Sequence, residues 1–174
     1  DTTPCIGIDP EPRISVNLPP KAEIYPLPSD EFFQKHNIQS LIGGAVDYAF
    51  IDGLHVFDQV LRDFINIEKN SHPGTVVFLH DCYPLNELTQ RAKRNSFFWT
   101  GDPWKIITCL KECRPDLEVA TIKTFPTGLG MVLGLNPDNR YLEENYQKIE
   151  KEYQARRYED IEHEQDHAVN AVDN

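Results

Sequence analysis

Two short stretches decide the fold of this chain. They read Tyr48-Ala49-Phe50-Ile51-Asp52-Gly53-Leu54-His55 and Thr75-Val76-Val77-Phe78-Leu79-His80-Asp81. Each begins with an apolar run that predicts a strand, and the second run lacks alternation, which suits a sheet covered on both faces. A third apolar run, residues 3–9, ends in Asp9. Because ligands bind beyond the carboxyl ends of parallel strands, we expect Asp9, Asp52 and Asp81 to converge on a shared crevice.

The remaining pattern alternates predicted strands with predicted helices. We expect an α/β fold with a doubly wound, mostly parallel sheet, because such alternation implies right-handed crossovers. An antiparallel pair is expected at one edge of the sheet. The predicted strands are residues 3–9, 22–25, 48–52, 75–79, 118–124 and 130–135. One predicted helix begins at Ser29, and three more cover residues 58–70, 86–94 and 103–113.

After Pro137 the chain becomes charged and helical in pattern up to about residue 167. One narrow apolar stripe runs along it, formed by Leu142, Tyr146, Ile149 and Tyr153. The stripe suits either packing on its own domain or a homodimer contact. We therefore predict an α/β domain over residues 1–137 and an acidic C-terminal helix and tail over residues 138–174, with residues 168–174 frayed.

Composition excludes several classes of protein. The net charge of −11 makes a nucleic-acid partner unfavourable, because phosphate backbones are bound by Lys and Arg. No apolar stretch is long enough for a membrane span, so no membrane partner is expected. The four cysteines lack paired C-x-x-C motifs, which favours free thiols and a cytoplasmic location. The G-x-S-x-G elbow and the P-loop motif are both absent.

The polar residues after the two deciding strands offer two kinds of chemistry. A carboxylate and an imidazole occur together in Asp52 with His55, and again in His80 with Asp81. These groups suit a divalent cation such as magnesium, manganese or zinc. They also suit general-base catalysis, since histidine titrates near neutral pH. Each residue taken alone would equally serve as a cap or a loop hydrogen bond.

The order and spacing of these stretches resemble class I S-adenosylmethionine-dependent methyltransferases, in the small-molecule O-methyltransferase group. Residues 48–55 and 73–81 are similar to the family's fourth and fifth strands. The stretch Cys5-Ile6-Gly7-Ile8-Asp9-Pro10 is similar to its second strand. Residues 99–105 and 128–132 also match segments common in that group, so the resemblance covers about residues 5–135.

The resemblance implies a role for each matching position. Asp9 would accept hydrogen bonds from the cofactor's ribose, and Ser29 and Asp30 would lie beside its adenine. Asp52 would lie near the methionine end of the cofactor or bind a metal. Asp81 and His80 would face the acceptor as metal ligands or base, which gives a metal set of Asp52, His80 and Asp81. His55 is a second candidate for the base.

Two departures from the family pattern qualify these roles. Leu54 stands where the family often has another Asp, which leaves one carboxylate fewer for a metal. The family's first strand and glycine-rich loop should precede Asp9, so we expect an N-terminally truncated domain.

The leading hypothesis is methyl transfer to a hydroxyl of a small molecule, a sugar or natural product. The alternative is an inactive module of the same fold that serves assembly. A nicotinamide-dependent enzyme would need the same glycine-rich loop.

Overall fold

The computed structural model describes residues 3–94 and 97–173, and the chain divides into two compact units, residues 1–46 and 47–174. In the first unit, β1 (Cys5–Ile8) pairs in parallel with β2 (Ala22–Tyr25), as the apolar runs predict. Two short helices follow, α1 (Ser29–Lys35) and α2 (Ile38–Ile42). The side chain of Phe32 is fully buried and its ring packs edge-on against Tyr25, which fixes α1 to β2.

The second unit is built on a five-stranded sheet in the order β3-β4-β6-β5-β7. The strands are β3 (Tyr48–Ile51), β4 (Val76–His80), β5 (Glu118–Ile122), β6 (Leu129–Leu133) and β7 (Ala171–Val172). Only β6 runs against its neighbours, so four of these five strands share one direction. The α/β fold with a mostly parallel sheet is therefore confirmed. The antiparallel pair is also present, but β6 lies inside the sheet and not at its edge.

The helices of the second unit cover this sheet. The amphipathic helix α3 (Phe57–Lys69) buries a continuous apolar face, and α4 (Trp104–Cys113) is almost wholly buried over its first seven residues. The C-terminal helical pattern is divided into α5 (Tyr141–Glu144), α6 (Tyr146–Gln154), a 3₁₀ turn (Tyr158–Asp160) and α7 (Gln165–Ala168). None of the described helices combines the length and apolar character that crossing a membrane requires.

The apolar stripe of the C-terminal region packs inside the second unit. Helix α6 contacts both α3 and α4, and its residues Ile149 and Tyr153 are buried there. The ring of Tyr153 lies 5.6 Å from that of Phe57 on α3. The stripe is thus used within the chain, and the predicted homodimer stays a prediction.

Two of the predictions on secondary structure are wrong, the helix over residues 86–94 and the fraying of residues 168–174. Residues 86–94 form turns and not a helix, because the Asn86 side chain accepts hydrogen bonds from the backbone N–H groups of Leu88 and Thr89. Such local bonds compete with helix formation. The C-terminal residues are not frayed up to residue 173, since Ala171 and Val172 pair in parallel with Thr121 and Ile122. Residue 174 lies outside the described residues.

Candidate active site

The candidate site follows the carboxyl ends of β3 and β4. Asp52 comes directly after β3 with His55 three residues later, while His80 is the last residue of β4 and Asp81 follows it. The two strands are parallel, with Ile51 opposite Leu79. Their carboxyl ends therefore meet at one rim, and the structure brings these four side chains together as the sequence predicts.

His55 lies at the centre of the cluster, bonded through both ring nitrogens. Its Nε2 is 3.0 Å from Asp52 Oδ1, and its Nδ1 is 2.9 Å from Asp81 Oδ2 and 3.1 Å from the carbonyl oxygen of Thr100. The hydrogen bonds to Asp52 and Asp81 raise the pKa of His55 to about 10, against the opposing effect of burial. At neutral pH this imidazole is a cation held between two carboxylates.

Asp81 is the buried member of the cluster. Its side chain is 7% exposed and also accepts a hydrogen bond from the hydroxyl of Thr127, in the loop between β5 and β6. Asp81 has a φ of 58° and His55 a φ of 56°, both in the left-handed region that side chains other than glycine rarely adopt. Such backbone strain clusters at functional sites and persists only where the surrounding structure holds it.

Asp52 is the exposed carboxylate of the cluster, with 41% of its side chain accessible. Burial of its inner part would raise its pKa, yet the hydrogen bonds and charges of His55 and His80 together lower the pKa below its ordinary value. Asp52 is therefore ionised at neutral pH, so the rim presents a negative charge beside both imidazoles.

His80 differs from His55 because one of its ring nitrogens is poorly satisfied. Its Nδ1 is buried and lies 2.9 Å from Asp52 Oδ1 and 3.4 Å from Asp81 Oδ1. These approaches are short enough for ion pairing, but no described residue gives this atom a hydrogen bond of good geometry. The side chain as a whole is 37% exposed. Its accessible area therefore belongs to its other atoms.

Residues that sequence reasoning gave no role hold His55 in place. The backbone N–H of Asp102 donates to the His55 carbonyl oxygen at 3.1 Å, and the Asp102 carboxylate accepts from the N–H of Phe57 at 2.7 Å. Lys105 pairs with the same carboxylate at 2.9 Å, and both side chains of that pair are 7% exposed. Residues 99–105 belong to the resemblance, but nothing in their pattern indicates contact with residue 55.

The other predicted cofactor residues lie in the first unit. Asp9 follows β1, and its Oδ1 accepts a hydrogen bond from the N–H of Glu11 at 2.7 Å, which fixes the exposed carboxylate at that end of the strand. Ser29 and Asp30 open α1 shortly after β2. Since β1 and β2 are parallel, these residues follow the same edge of the small sheet. Asp9 belongs to the first unit and Asp52 and Asp81 to the second, so the predicted convergence of the three carboxylates stays a prediction.

The chemistry of the donor set fits a divalent cation. Asp52, His55 and His80 each offer one ligand atom, and these atoms lie within 4.8 Å of one another. One carboxylate and two imidazoles suit zinc or manganese better than magnesium, which prefers oxygen ligands. The predicted set contained Asp81 in place of His55. In the structure both Asp81 oxygens have hydrogen-bonding neighbours, Thr127 and His55.

A protein-family model described as a methyltransferase domain matches residues 2–82. The matched region resembles a methyltransferase domain. It includes β1, β3 and β4 and ends just after Asp81, so all the predicted site residues fall within it. The match covers less than half of the 174 residues, and comparison with curated proteins gives no match. Together with the fold, the match supports methyl transfer as the general chemistry of this domain.

Proposed function

We propose that this protein transfers a methyl group from S-adenosylmethionine to a hydroxyl group of a small molecule, a sugar or another natural product. The observation that carries the proposal is the arrangement of His80, a partly exposed imidazole whose inner nitrogen faces two carboxylates. The methyltransferase match over residues 2–82 supports the reaction class. The free state of Cys5, Cys82, Cys109 and Cys113 supports a reducing compartment such as the cytoplasm.

We assign the cofactor to the residues that the sequence resemblance indicates. Asp9, Ser29 and Asp30 would hold its nucleoside part, and Asp52 would lie near its amino-acid part. When bound, S-adenosylmethionine supplies a methyl group already activated by a positively charged sulfur. The protein has therefore mainly to position the acceptor and remove its proton.

His80 is our candidate for the base that removes this proton. Asp52 and Asp81 face its Nδ1 and favour the tautomer with the proton on that nitrogen, which leaves Nε2 free to accept a proton from the acceptor hydroxyl. His55 suits this role less well, because Asp52, Asp81 and the Thr100 carbonyl already occupy its two nitrogens. Asp81 is buried, so we assign it to orienting both imidazoles.

A divalent cation is the alternative to His80 as the base. Asp52, His55 and His80 would hold it, and the cation would then take the place of the base by lowering the pKa of a bound acceptor hydroxyl. Histidine ligates metals as the neutral imidazole, so binding would release the proton that His55 otherwise holds.

The test uses the full chain and two readouts, calorimetric titration with S-adenosylmethionine and methyl transfer to a panel of hydroxylated acceptors. His80→Gln should keep cofactor binding and lower the transfer rate about a hundred-fold or more. The matched control is His72→Gln. His72 forms a similar pair with Asp47, 3.0 Å apart, at the amino ends of the same two strands. That variant should behave as the wild type.

A second variant tests the cofactor assignment separately. Asp9→Ala should abolish cofactor binding, whereas Glu11→Ala, which removes a neighbouring exposed carboxylate, should not. The proposal is wrong if the wild-type chain binds no S-adenosylmethionine. The assignment of His80 is wrong if His80→Gln transfers methyl groups at the wild-type rate.

A further inference from the structure

An unusual loop lies beside His55. We call residues 85–94 and 97–99 the basic loop. It carries Arg91, Lys93 and Arg94 against a single acid, Glu87, in a chain whose net charge is −11. Within the described part of the loop, Arg91 is the one cation that forms an ion pair, with Glu87. Among the described residues, Lys93 has no bonding partner, and Arg94 reaches only the Phe97 carbonyl oxygen at 3.5 Å.

The same loop exposes large apolar side chains. Phe97 is 86% exposed and Phe98 60%, with their ring centroids 5.3 Å apart, and Leu88 is 54% exposed. Single exposed apolar residues are ordinary in soluble proteins, but a cluster of them marks a ligand or partner surface. Here the cluster combines apolar area with unpaired positive charge.

The loop is tied to the candidate site by direct contacts. The Trp99 ring lies 5.5 Å from the His55 ring, and the Trp99 indole N–H donates to the Arg91 carbonyl oxygen at 2.6 Å. The Thr100 N–H donates to the Thr89 carbonyl oxygen at 2.9 Å, while the Thr100 carbonyl oxygen contacts His55. The basic and the apolar parts of the loop are therefore joined at the point where the loop meets His55.

We propose that the basic loop binds the acceptor, and that the acceptor is an organic anion with an aromatic or apolar body. This inference rests on the proposed function and narrows it. Phe97, Phe98 and Trp99 would cover the apolar body, and Lys93 and Arg94 would bind the anionic group. A local positive surface also offsets the repulsion that a chain of net charge −11 exerts on an anion.

The experiment titrates the full chain with a fluorescent anion of this class, 8-anilinonaphthalene-1-sulfonate, and with its uncharged relative N-phenyl-1-naphthylamine. The double variant Lys93→Glu/Arg94→Glu should weaken binding of the sulfonate about ten-fold and leave binding of the neutral dye unchanged. Phe97→Ser should weaken the binding of both dyes. All three substituted residues are exposed, so the fold should be kept, which circular dichroism checks.

Matched controls separate this surface from ordinary dye binding. Lys148→Glu reverses an exposed charge on α6, and Phe125→Ser removes a phenylalanine that is 93% exposed in another loop. Neither should change either titration. The inference is overturned if the double variant binds the sulfonate as the wild type does, or if the controls weaken it equally.

Calorimetry with S-adenosylmethionine on the same samples tells the two proposals apart. If the chain binds S-adenosylmethionine but the double variant keeps its affinity for the sulfonate dye, only the proposal that the basic loop binds the acceptor is overturned. If the double variant selectively loses affinity for the sulfonate dye but the chain binds no S-adenosylmethionine, methyl transfer is overturned. The interpretation of the loop as an acceptor site is then overturned with it.

Discussion

A side chain at residue 101 would collide with the backbone of His55. Gly101 has a φ of +67°, and a Cβ atom built on it would lie 1.8 Å from the His55 carbonyl oxygen. The position thus requires glycine for two separate reasons, its backbone conformation and the close approach of another segment. The next residue, Asp102, donates its N–H to that same carbonyl oxygen.

Gly101→Ala should therefore displace the His55 loop. We expect a loss of about 2 kcal/mol in the free energy of unfolding, together with a fall in methyl transfer. Urea unfolding and the transfer assay measure the two effects. Gly44→Ala is the control, because a Cβ atom at Gly44 meets nothing within 4 Å. Equal stability of the two variants would contradict the requirement for glycine at residue 101.

Thr127 should act as a positioning residue for Asp81. Its hydroxyl donates to the buried Asp81 carboxylate, which in turn bonds His55. Hydrogen bonds to charged groups contribute about 1.5–3 kcal/mol, so Thr127→Val should leave Asp81 underbonded and lower kcat about ten-fold or more. The Kd for S-adenosylmethionine should not change, because Thr127 does not bind the cofactor in our proposal. Thr127→Ser keeps the hydroxyl, so its kcat should stay near the wild-type value. A purely steric role of Thr127 would not predict this difference between the two variants.

The metal assignment predicts binding of manganese to the purified chain. Mn²⁺ should lose its free-ion electron paramagnetic resonance signal on addition of protein, and EDTA should restore the signal. Asp52→Asn removes a charged ligand and should weaken binding at least about ten-fold. Asp47→Asn, which changes the carboxylate at the opposite ends of the same strands, should bind normally. Unchanged affinity in Asp52→Asn would exclude the proposed ligand set.

Cys113 should be the most readily alkylated cysteine near neutral pH. A hydrogen bond from Cys109 lowers the pKa of Cys113 to about 6, against the opposing effect of burial, and the Tyr153 hydroxyl, 3.7 Å away, acts in the same direction. Because the thiolate is the reacting form, iodoacetamide labelling of Cys113 should reach half its maximal rate near pH 6. Tyr153→Phe should move that midpoint upward, as peptide mapping would show. A midpoint near the ordinary thiol value of about 8.5 would contradict this prediction.

The sequence predicts the parts of this structure that depend on local pattern. The apolar runs locate β3 and β4, and the polar residues at the ends of those runs, Asp52 and His80, lie next to each other as expected. Parallel pairing accounts for this success, because it brings together residues at equivalent ends of strands.

The parts that depend on distant contacts could not be read from the sequence. Thr127 reaches Asp81, and Gly101 meets His55, through packing between segments 46 residues apart in each case. The helix predicted over residues 86–94 fails because local side-chain bonds from Asn86 favour turns. The two-residue strand β7 is too short for periodicity to reveal, and its pairing with β5 depends on tertiary structure.

The position of β6 constrains how the polypeptide assembles during its synthesis. The edge of β4 opposite β3 has no partner until β6 has left the ribosome, about 50 residues later. Strand β5 is synthesised in between and also pairs with β6, so it too lacks this partner until then. The nascent chain therefore exposes an unpaired strand edge for several seconds at ordinary translation speeds, about 5–20 residues per second. Chaperones that shield such edges would matter most for this protein over that interval, before residue 133 emerges.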